Sequence, residues 1–357
     1  MIPVTVVPDR TLRVKIIDAC GLACTFCHNE GTPVAADRDQ PGGSGRVSIY
    51  LRTNGAAFLP RRIDADVDFA VALAAIRGSL PTSEVHFTGG EPTLHPDLPG
   101  LTRMAHRLGL TVGLTSNGEN GAAVIPDCAA AGLDRVNLSV FGTTPEELAS
   151  VQGPRLASPR LAQRKLDALG ATIETAARCG VRVSANIVVP DSTHVPRVLR
   201  LVEEYGRTVI VRMLVSLEDD GSSLLAMREV VNRLRAVPVR RVITAGASDQ
   251  RVLYRLPDGH PLYAKSIRPV RLPVTCAECR FNNDRDCHEG YYGVRLYRAQ
   301  DGPFMVGVCL RRMDLCLSLG EFVMSQRCRE VVAFREAEEA RLARQYGVGA
   351  AREPLTR

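Results

Sequence analysis

Between residues 13 and 217 the chain alternates between two hydrophobic periods. Short β-branched runs at 14–17, 84–88, 111–115, 135–140, 182–189 and 209–214 predict strands. Longer stretches with apolar residues three and four apart predict helices near 65–77, 98–108, 125–131, 159–179 and 195–205. Six βα units in succession predict an α/β fold: a parallel sheet with right-handed crossovers, of partial-barrel type. Such sheets place their ligands at the carboxyl ends of the strands.

The segment 32–60 interrupts this pattern. Pro41-Gly-Gly-Ser-Gly45 reads as pliable, and Asn54-Gly55 between two apolar runs is a hairpin signal, so an inserted loop and hairpin is expected, acting as a lid. After about residue 221 the character changes to a helical stretch at 223–237, short alternating runs, a turn at Pro257-Asp258-Gly259 and a closing charged helix at 319–346. The expected division is a first domain over 1–220 and a small C-terminal α+β domain over 221–357.

Composition narrows the class. Hydrophobic residues make up 45% of the 357 positions and charged residues 24%, as in an ordinary globular protein. A net charge of +6 without a basic block suits an anionic small molecule and is weak support for nucleic acid. No apolar run is long enough to span a bilayer, and the N-terminus lacks the features of a secretory signal, so no membrane association and a cytoplasmic location are expected. Eleven cysteines, an odd number gathered toward both ends of the chain, argue for metal ligation rather than disulfides.

Cys20, Cys24 and Cys27 follow the first predicted strand with three residues and then two between them. Three thiolates in one loop are one ligand short of a closed [4Fe–4S] site, leaving one iron for a ligand that is not protein. A zinc site is the alternative, but zinc ligands usually come as paired CxxC units or with histidines at set spacings. The other polar and glycine-rich motifs fall at strand ends too: Gly89, Gly90 and Glu91 after the second, Ser116 and Asn117 after the third, Ser139 at the fourth. A second group, Cys276, Cys279, Cys287 and Cys309, suits another cluster or a zinc, with Cys316 competing for a place. Cys128, Cys179 and Cys328 stand alone in helical stretches and read as core or surface thiols.

The runs CGLACTFCHNEG, HFTGGEPTLHPDL, TVGLTSNG and LDRVNLSVFGTTPEEL, then CAEC followed by YGVRLYRAQDGPFMVGVCL, resemble the radical S-adenosylmethionine (SAM) enzymes. Within that superfamily the resemblance is to the MoaA-like group, related to the GTP cyclase of molybdenum cofactor biosynthesis, and it covers residues 11 to about 310. It implies a partial (β/α)6 barrel with a twitch- or SPASM-like auxiliary-cluster domain. By matching position, Cys20, Cys24 and Cys27 would hold the SAM cluster, and Gly89, Gly90 and Glu91 would line the methionine end of SAM. Phe26 and Met213 would lie by the adenine, while Ser116, Asn117, Ser139 and Asn186 are candidates for its ribose and carboxylate. Cys276, Cys279, Cys287 and Cys309 would hold an auxiliary [4Fe–4S] cluster. The resemblance also implies an electron donor such as flavodoxin or ferredoxin.

Three departures from the cyclases point away from GTP. His95 stands where they carry an arginine, Cys287 offers the auxiliary site a fourth thiol, and the chain ends Glu353-Pro-Leu-Thr-Arg357 instead of in paired glycines. The expected activity is hydrogen abstraction from the sugar of a nucleoside or nucleotide in a natural-product (antibiotic) pathway, for example decarboxylation of a cytosylglucuronate-type uronic acid. Arg212, Arg268, Arg271 and Arg295 could clamp a carboxylate or phosphate. The alternatives are a GTP cyclase with a divergent tail, a peptide-modifying maturase, and a zinc-binding scaffold without enzymatic activity.

Overall fold

Strand and helix alternate from the first residues of the computed structural model, which describes residues 2–34, 48–50, 54–217, 221–283 and 285–347. The chain enters through strands β1 (Val4–Pro8) and β2 (Thr11–Ile17). Helix α1 (Val67–Ser79), strand β3 (Glu84–Gly89), helix α2 (Leu98–Arg107), strand β4 (Thr111–Ser116), helix α3 (Gly121–Ala130) and strand β5 (Leu133–Ser139) follow. Next come the short α4 (Pro145–Ser150), the long α5 (Pro159–Arg178), β6 (Arg182–Val188), α6 (Val195–Tyr205), β7 (Ile210–Leu214) and α7 (Ser222–Arg233). The remainder is β8 (Val237–Ala245), β9 (Asp249–Arg255), β10 (Pro261–Ile267), β11 (Val294–Arg298), β12 (Phe304–Gly307), β13 (Leu317–Ser318), α8 (Leu319–Met324) and α9 (Gln326–Tyr346).

Capping chemistry sets many of these boundaries. Asp66, Asp97 and Thr144 each accept a backbone N–H from the first turn of α1, α2 and α4, which satisfies one of the orphan donors at a helix start. The six expected strands are all present, shifted by at most a few residues at their ends. One expected helix at the C-terminus is two, because Ser325 leaves the helical conformation and its hydroxyl caps the Cys328 N–H, restarting the helix there.

The structure separates into two compact units. The larger contains Thr11–Ala185 and Val294–Met324. In it β2 lies between β3 and β11, with parallel pairing on both sides, and β4 and β5 continue the sheet beyond β3. β12 and β13 add antiparallel to β11. Register puts Leu12 beside Val85 and Val112, and Val14 beside Phe87 and Leu114, all essentially unexposed. Each such side chain contributes about 1.5–3 kcal/mol by leaving water. The alternate positions form the other face, which is polar: Lys15 is level with Thr88, and Thr115 with Asn137. His86 shares that face, and its ring reaches the Thr115 hydroxyl at 2.7 Å. A parallel sheet normally buries apolar side chains on both faces. The polar face here is the departure that makes room for chemistry.

The smaller unit contains Met1–Arg10, Asn186–Gly293 and Ser325–Arg357. β1 pairs parallel with β8, β8 and β9 and then β9 and β10 form antiparallel pairs, and β10 runs parallel to β7. The turn between β9 and β10 is the Pro257-Asp258-Gly259 one. Leu342 of α9 packs on Val6, Ile243 and Ala245. Beside that core Arg335 of α9 is buried and donates to the Asp9 carboxylate at 2.7 Å.

The hairpin expected around Asn54-Gly55 falls partly on 46–47 and 51–53, outside the described residues, as does the whole of the glycine patch at 41–45. The described stretch 54–60 is a loop with one isolated bridge, Pro60 to Ala299, and not a strand. Buried Asn54 donates its amide to the Gly31 carbonyl at 2.5 Å and accepts from the Ala56 N–H.

Candidate SAM and iron–sulfur site

β2 ends at Ile17 and the cysteine loop begins at once, so the position of the loop is set by what grips residues 17–19. The two glycines at the end of β3 do this. The Gly90 N–H donates to the Ile17 carbonyl at 2.7 Å and the Glu91 N–H to the Ala19 carbonyl at 2.8 Å. Gly89 has φ +153, and a Cβ there would lie 2.2 Å from the Ile17 oxygen; one on Gly90 would lie 2.1 Å from the Asp18 oxygen. Only residues without a side chain allow this approach.

Glu91 joins this grip to the next strand. Its Oε1 accepts from the Ser116 hydroxyl at 2.6 Å and from the Thr93 hydroxyl and N–H, and its Oε2 accepts from the Asn117 N–H at 2.5 Å. Burial raises the Glu91 carboxyl above its usual range, against the pull of those donors. Glu91, Ser116 and Asn117 therefore come together at the ends of β3 and β4, as the sequence suggested.

The loop itself is held from three further directions. Glu119 accepts the Gly21 N–H at 2.7 Å and is paired with Lys165 of α5. Gln152 accepts the Ala23 N–H at 2.9 Å and donates to the Cys24 sulfur at 3.4 Å. The Thr25 N–H donates to the Val151 carbonyl and the Gly153 N–H to the Ala23 carbonyl. On the Cys20 sulfur, the Asn117 amide and the Leu22 N–H converge at 3.5 Å each.

After Cys27 the chain is fixed by a buried ion pair. Asn29 and Glu30 both adopt the left-handed region, at φ 44 and 52, which is unfavourable for residues with side chains. Glu30 is held there by Arg295 of β11 at 2.7 Å, and the Tyr297 hydroxyl donates to its carbonyl at 3.0 Å. Burial alone would raise the Glu30 carboxyl, but Arg295, His28 and Arg13 bring it down to about 2. Lys15, buried on the polar face, pairs with Asp18 at 2.5 Å and reaches Asn29 and Thr32 on the returning side of the loop. Its desolvation pushes the ammonium below the usual lysine range, with Asp18 opposing.

Cys20, Cys24 and Cys27 are partly exposed and none is in a disulfide. Among the described residues, no group of three or more His, Cys, Asp or Glu is arranged to hold a single metal ion. The donor set fits an iron–sulfur cluster: three soft thiol ligands on one short loop, two of whose sulfurs accept N–H bonds of the kind that tune such clusters. Phe26 is 44% exposed, with its ring 5.3 Å from that of Phe141. Ser139 ends β5. Asn186 on β6 and Met213 on β7 belong to the smaller unit, where Met213 is fully buried in register with Ala264.

Cys276, Cys279 and Cys287 also belong to the smaller unit, on one turn-rich loop, while Cys309 and Cys316 belong to the larger. Arg271 staples the first three, reaching the Cys287 carbonyl and the Asn282 amide oxygen, and the Asn282 N–H in turn donates to the Cys279 carbonyl. Arg271 is thus no substrate clamp. Nor are Arg268, bound to Glu338 and to the Thr244 and Ala247 carbonyls, and Arg295, bound to Glu30. Arg212 lies 6.0 Å from the Tyr263 ring centroid. His95 is buried, with Nε2 donating to the Ile63 carbonyl at 2.7 Å and Nδ1 accepting the Asp97 N–H, so both ring nitrogens serve the backbone. Glu119, Gln152 and Lys165 carried no local signal in the sequence, because each acts on the loop from far along the chain.

The family model of the radical SAM superfamily matches residues 14–192. A probable GTP 3′,8-cyclase of Metallosphaera sedula is 27% identical over 316 residues, 87% of each chain. One from Aeropyrum pernix is 28% identical over 279 residues, 76% of this chain and 70% of its own. Among solved structures, Streptococcus suis SuiB bound to S-adenosylmethionine is 15% identical with a TM-score of 0.43, covering 64% of this chain and 47% of SuiB. Since the superfamily match begins inside β2 and runs beyond β5, over the cysteine loop and the ends of β3 and β4 that grip it, the chain belongs to the radical SAM superfamily: an α/β partial-barrel enzyme of radical chemistry whose cofactors are SAM and a [4Fe–4S] cluster.

Proposed function

We propose that this enzyme abstracts hydrogen from the sugar of a nucleoside or nucleotide. The observation that carries this reading is likeness to the GTP cyclases over 87% of the chain, the MoaA-like motifs included. Cys20, Cys24 and Cys27 would hold the cluster, and Gly89, Gly90 and Glu91 would line the methionine end of SAM. Phe26 flanks the adenine, with Ser116, Asn117 and Ser139 on the ribose and carboxylate. When bound, the cluster supplies the electron that splits SAM into methionine and a 5′-deoxyadenosyl radical. The protein holds the loop rigid through Gly90, Glu91 and Glu119, keeps β3 and β4 in step through Glu91, and presents the polar face of the larger unit's sheet to what is bound. Cys276, Cys279 and Cys287 would hold a second, auxiliary cluster. The external electron comes from a flavodoxin- or ferredoxin-type carrier.

Two substrates divide this reading. His95 supports a tailoring reaction on a nucleoside uronic acid, since its ring is committed to backbone where the cyclases carry an arginine. The names of the M. sedula and A. pernix relatives support cyclisation of GTP instead. Anaerobic incubation with SAM, a reductant and one substrate at a time separates them. Decarboxylation of a cytosylglucuronate-type nucleoside, with deuterium passing from its sugar into 5′-deoxyadenosine, is the expected result. A cyclised purine from GTP alone selects the second reading, and no deuterium transfer from any nucleoside sugar overturns both.

A further inference from the structure

Gln152 has no part in binding SAM or substrate in the reading above, yet it is 6% exposed and touches the cysteine loop twice. Its residue forms an isolated bridge with Cys24, flanked by the bonds from Thr25 to Val151 and from Gly153 to Ala23. The orientation of its amide follows from chemistry. The Ala23 N–H can only donate, so the group 2.9 Å from it is the amide oxygen, and the NH2 must face the Cys24 sulfur 3.4 Å away. A flipped amide would set two donors against each other. The side chain is therefore locked with an N–H aimed at one cluster ligand.

We propose that Gln152 is a positioning residue that sets the reduction potential of the SAM cluster through Cys24. The proposal rests on assignment of the cluster to Cys20, Cys24 and Cys27. One electron from a low-potential carrier adds one negative charge to the cluster and its thiolates. An N–H bond to a thiolate stabilises the more negative state, so it raises the potential. Asn117 and the Leu22 N–H do the same at Cys20, but Asn117 also has a place in SAM binding, whereas Gln152 has none. The low exposure of Gln152 strengthens the effect, since water does not screen it.

The test is an EPR-monitored redox titration of the holoenzyme, following the signal that responds to added SAM, with iron per chain measured alongside. Q152L removes both contacts, and Q152E keeps an acceptor for the Ala23 N–H while removing the donor. The expected result is normal iron content in Q152E and a midpoint potential more negative than wild type in both variants. Pulsed ENDOR of the wild type is expected to give an exchangeable-proton coupling that weakens in both. An unchanged potential in iron-replete Q152E overturns the proposal. So does loss of iron from both variants, which would make Gln152 a structural tie only. Failure of the underlying assignment shows separately, as iron that survives in the wild-type background after Cys24→Ala with an unaltered SAM-responsive signal.

Discussion

At the scale of single residues, the site depends on a few contacts with no slack. A methyl group on Gly90 would sit 2.1 Å from the Asp18 oxygen, a backbone atom that can yield only by moving the start of the cysteine loop. Gly90→Ala is expected to lose most SAM cleavage, read as 5′-deoxyadenosine formed per enzyme, while circular dichroism stays near wild type. Replacing Cys20, Cys24 or Cys27 by alanine is expected to abolish it outright. The Glu30–Arg295 pair makes a prediction about stability. The Glu30 pKa is depressed in the folded state to about 2, so its contribution is complete above the ordinary glutamate range and is lost as pH falls toward 2. Arg295→Met leaves the carboxylate buried without its partner and should destabilise the fold by about 3–5 kcal/mol at neutral pH. Denaturant midpoints measured at pH 7 and at pH 3 check both points, because the difference between variant and wild type should shrink in acid.

At the scale of elements, helix boundaries and thiol chemistry are the testable matters. Ser325→Ala removes the cap that restarts the helix at α9 and should cost about 1 kcal/mol. Cys128 is fully buried in α3 and its thiol is pushed up to about 12, whereas Cys179 at the end of α5 is exposed. A maleimide applied to the native protein should label Cys179 and leave Cys128 untouched until denaturant is added. Most of the larger unit was legible in the sequence, because β-branched runs, helical periods and glycine turns are local signals. The cysteine spacing and the paired glycines were legible for the same reason. Glu119, Gln152 and Lys165 were not, since a side chain that crosses from a distant loop leaves no periodicity. Arginine roles misled: Arg268, Arg271 and Arg295 looked like substrate ligands only because their partners, Glu338, the Cys287 carbonyl and Glu30, are remote in sequence.

For the whole molecule, metal content is the decisive quantity. Two [4Fe–4S] clusters predict about eight irons per chain in the anaerobically reconstituted protein. Cys276→Ala with Cys279→Ala should bring that to about four and leave the SAM-responsive EPR signal in place. Zinc in the double variant's wild-type parent, at that second site, would show that the C-terminal cysteines serve a different metal. Among the described residues no helix is long and apolar enough to cross a membrane.

The position of β2 has a consequence for how the enzyme is made. This strand delivers the cysteine loop, and on one side it pairs with β3, close behind it in the chain. On the other side it pairs with β11, and Arg295 of β11 locks the loop through Glu30. The ribosome releases Cys20, Cys24 and Cys27 early, but the strand that clamps them emerges only after most of the chain. The grips from Gly90, Glu91, Glu119 and Gln152 come earlier in the chain, so what waits for β11 is the returning side of the loop at Glu30. A nascent chain arrested before residues 294–298 lacks that lock and is expected to hold iron less firmly than the full chain, read as iron stripped by a mild chelator.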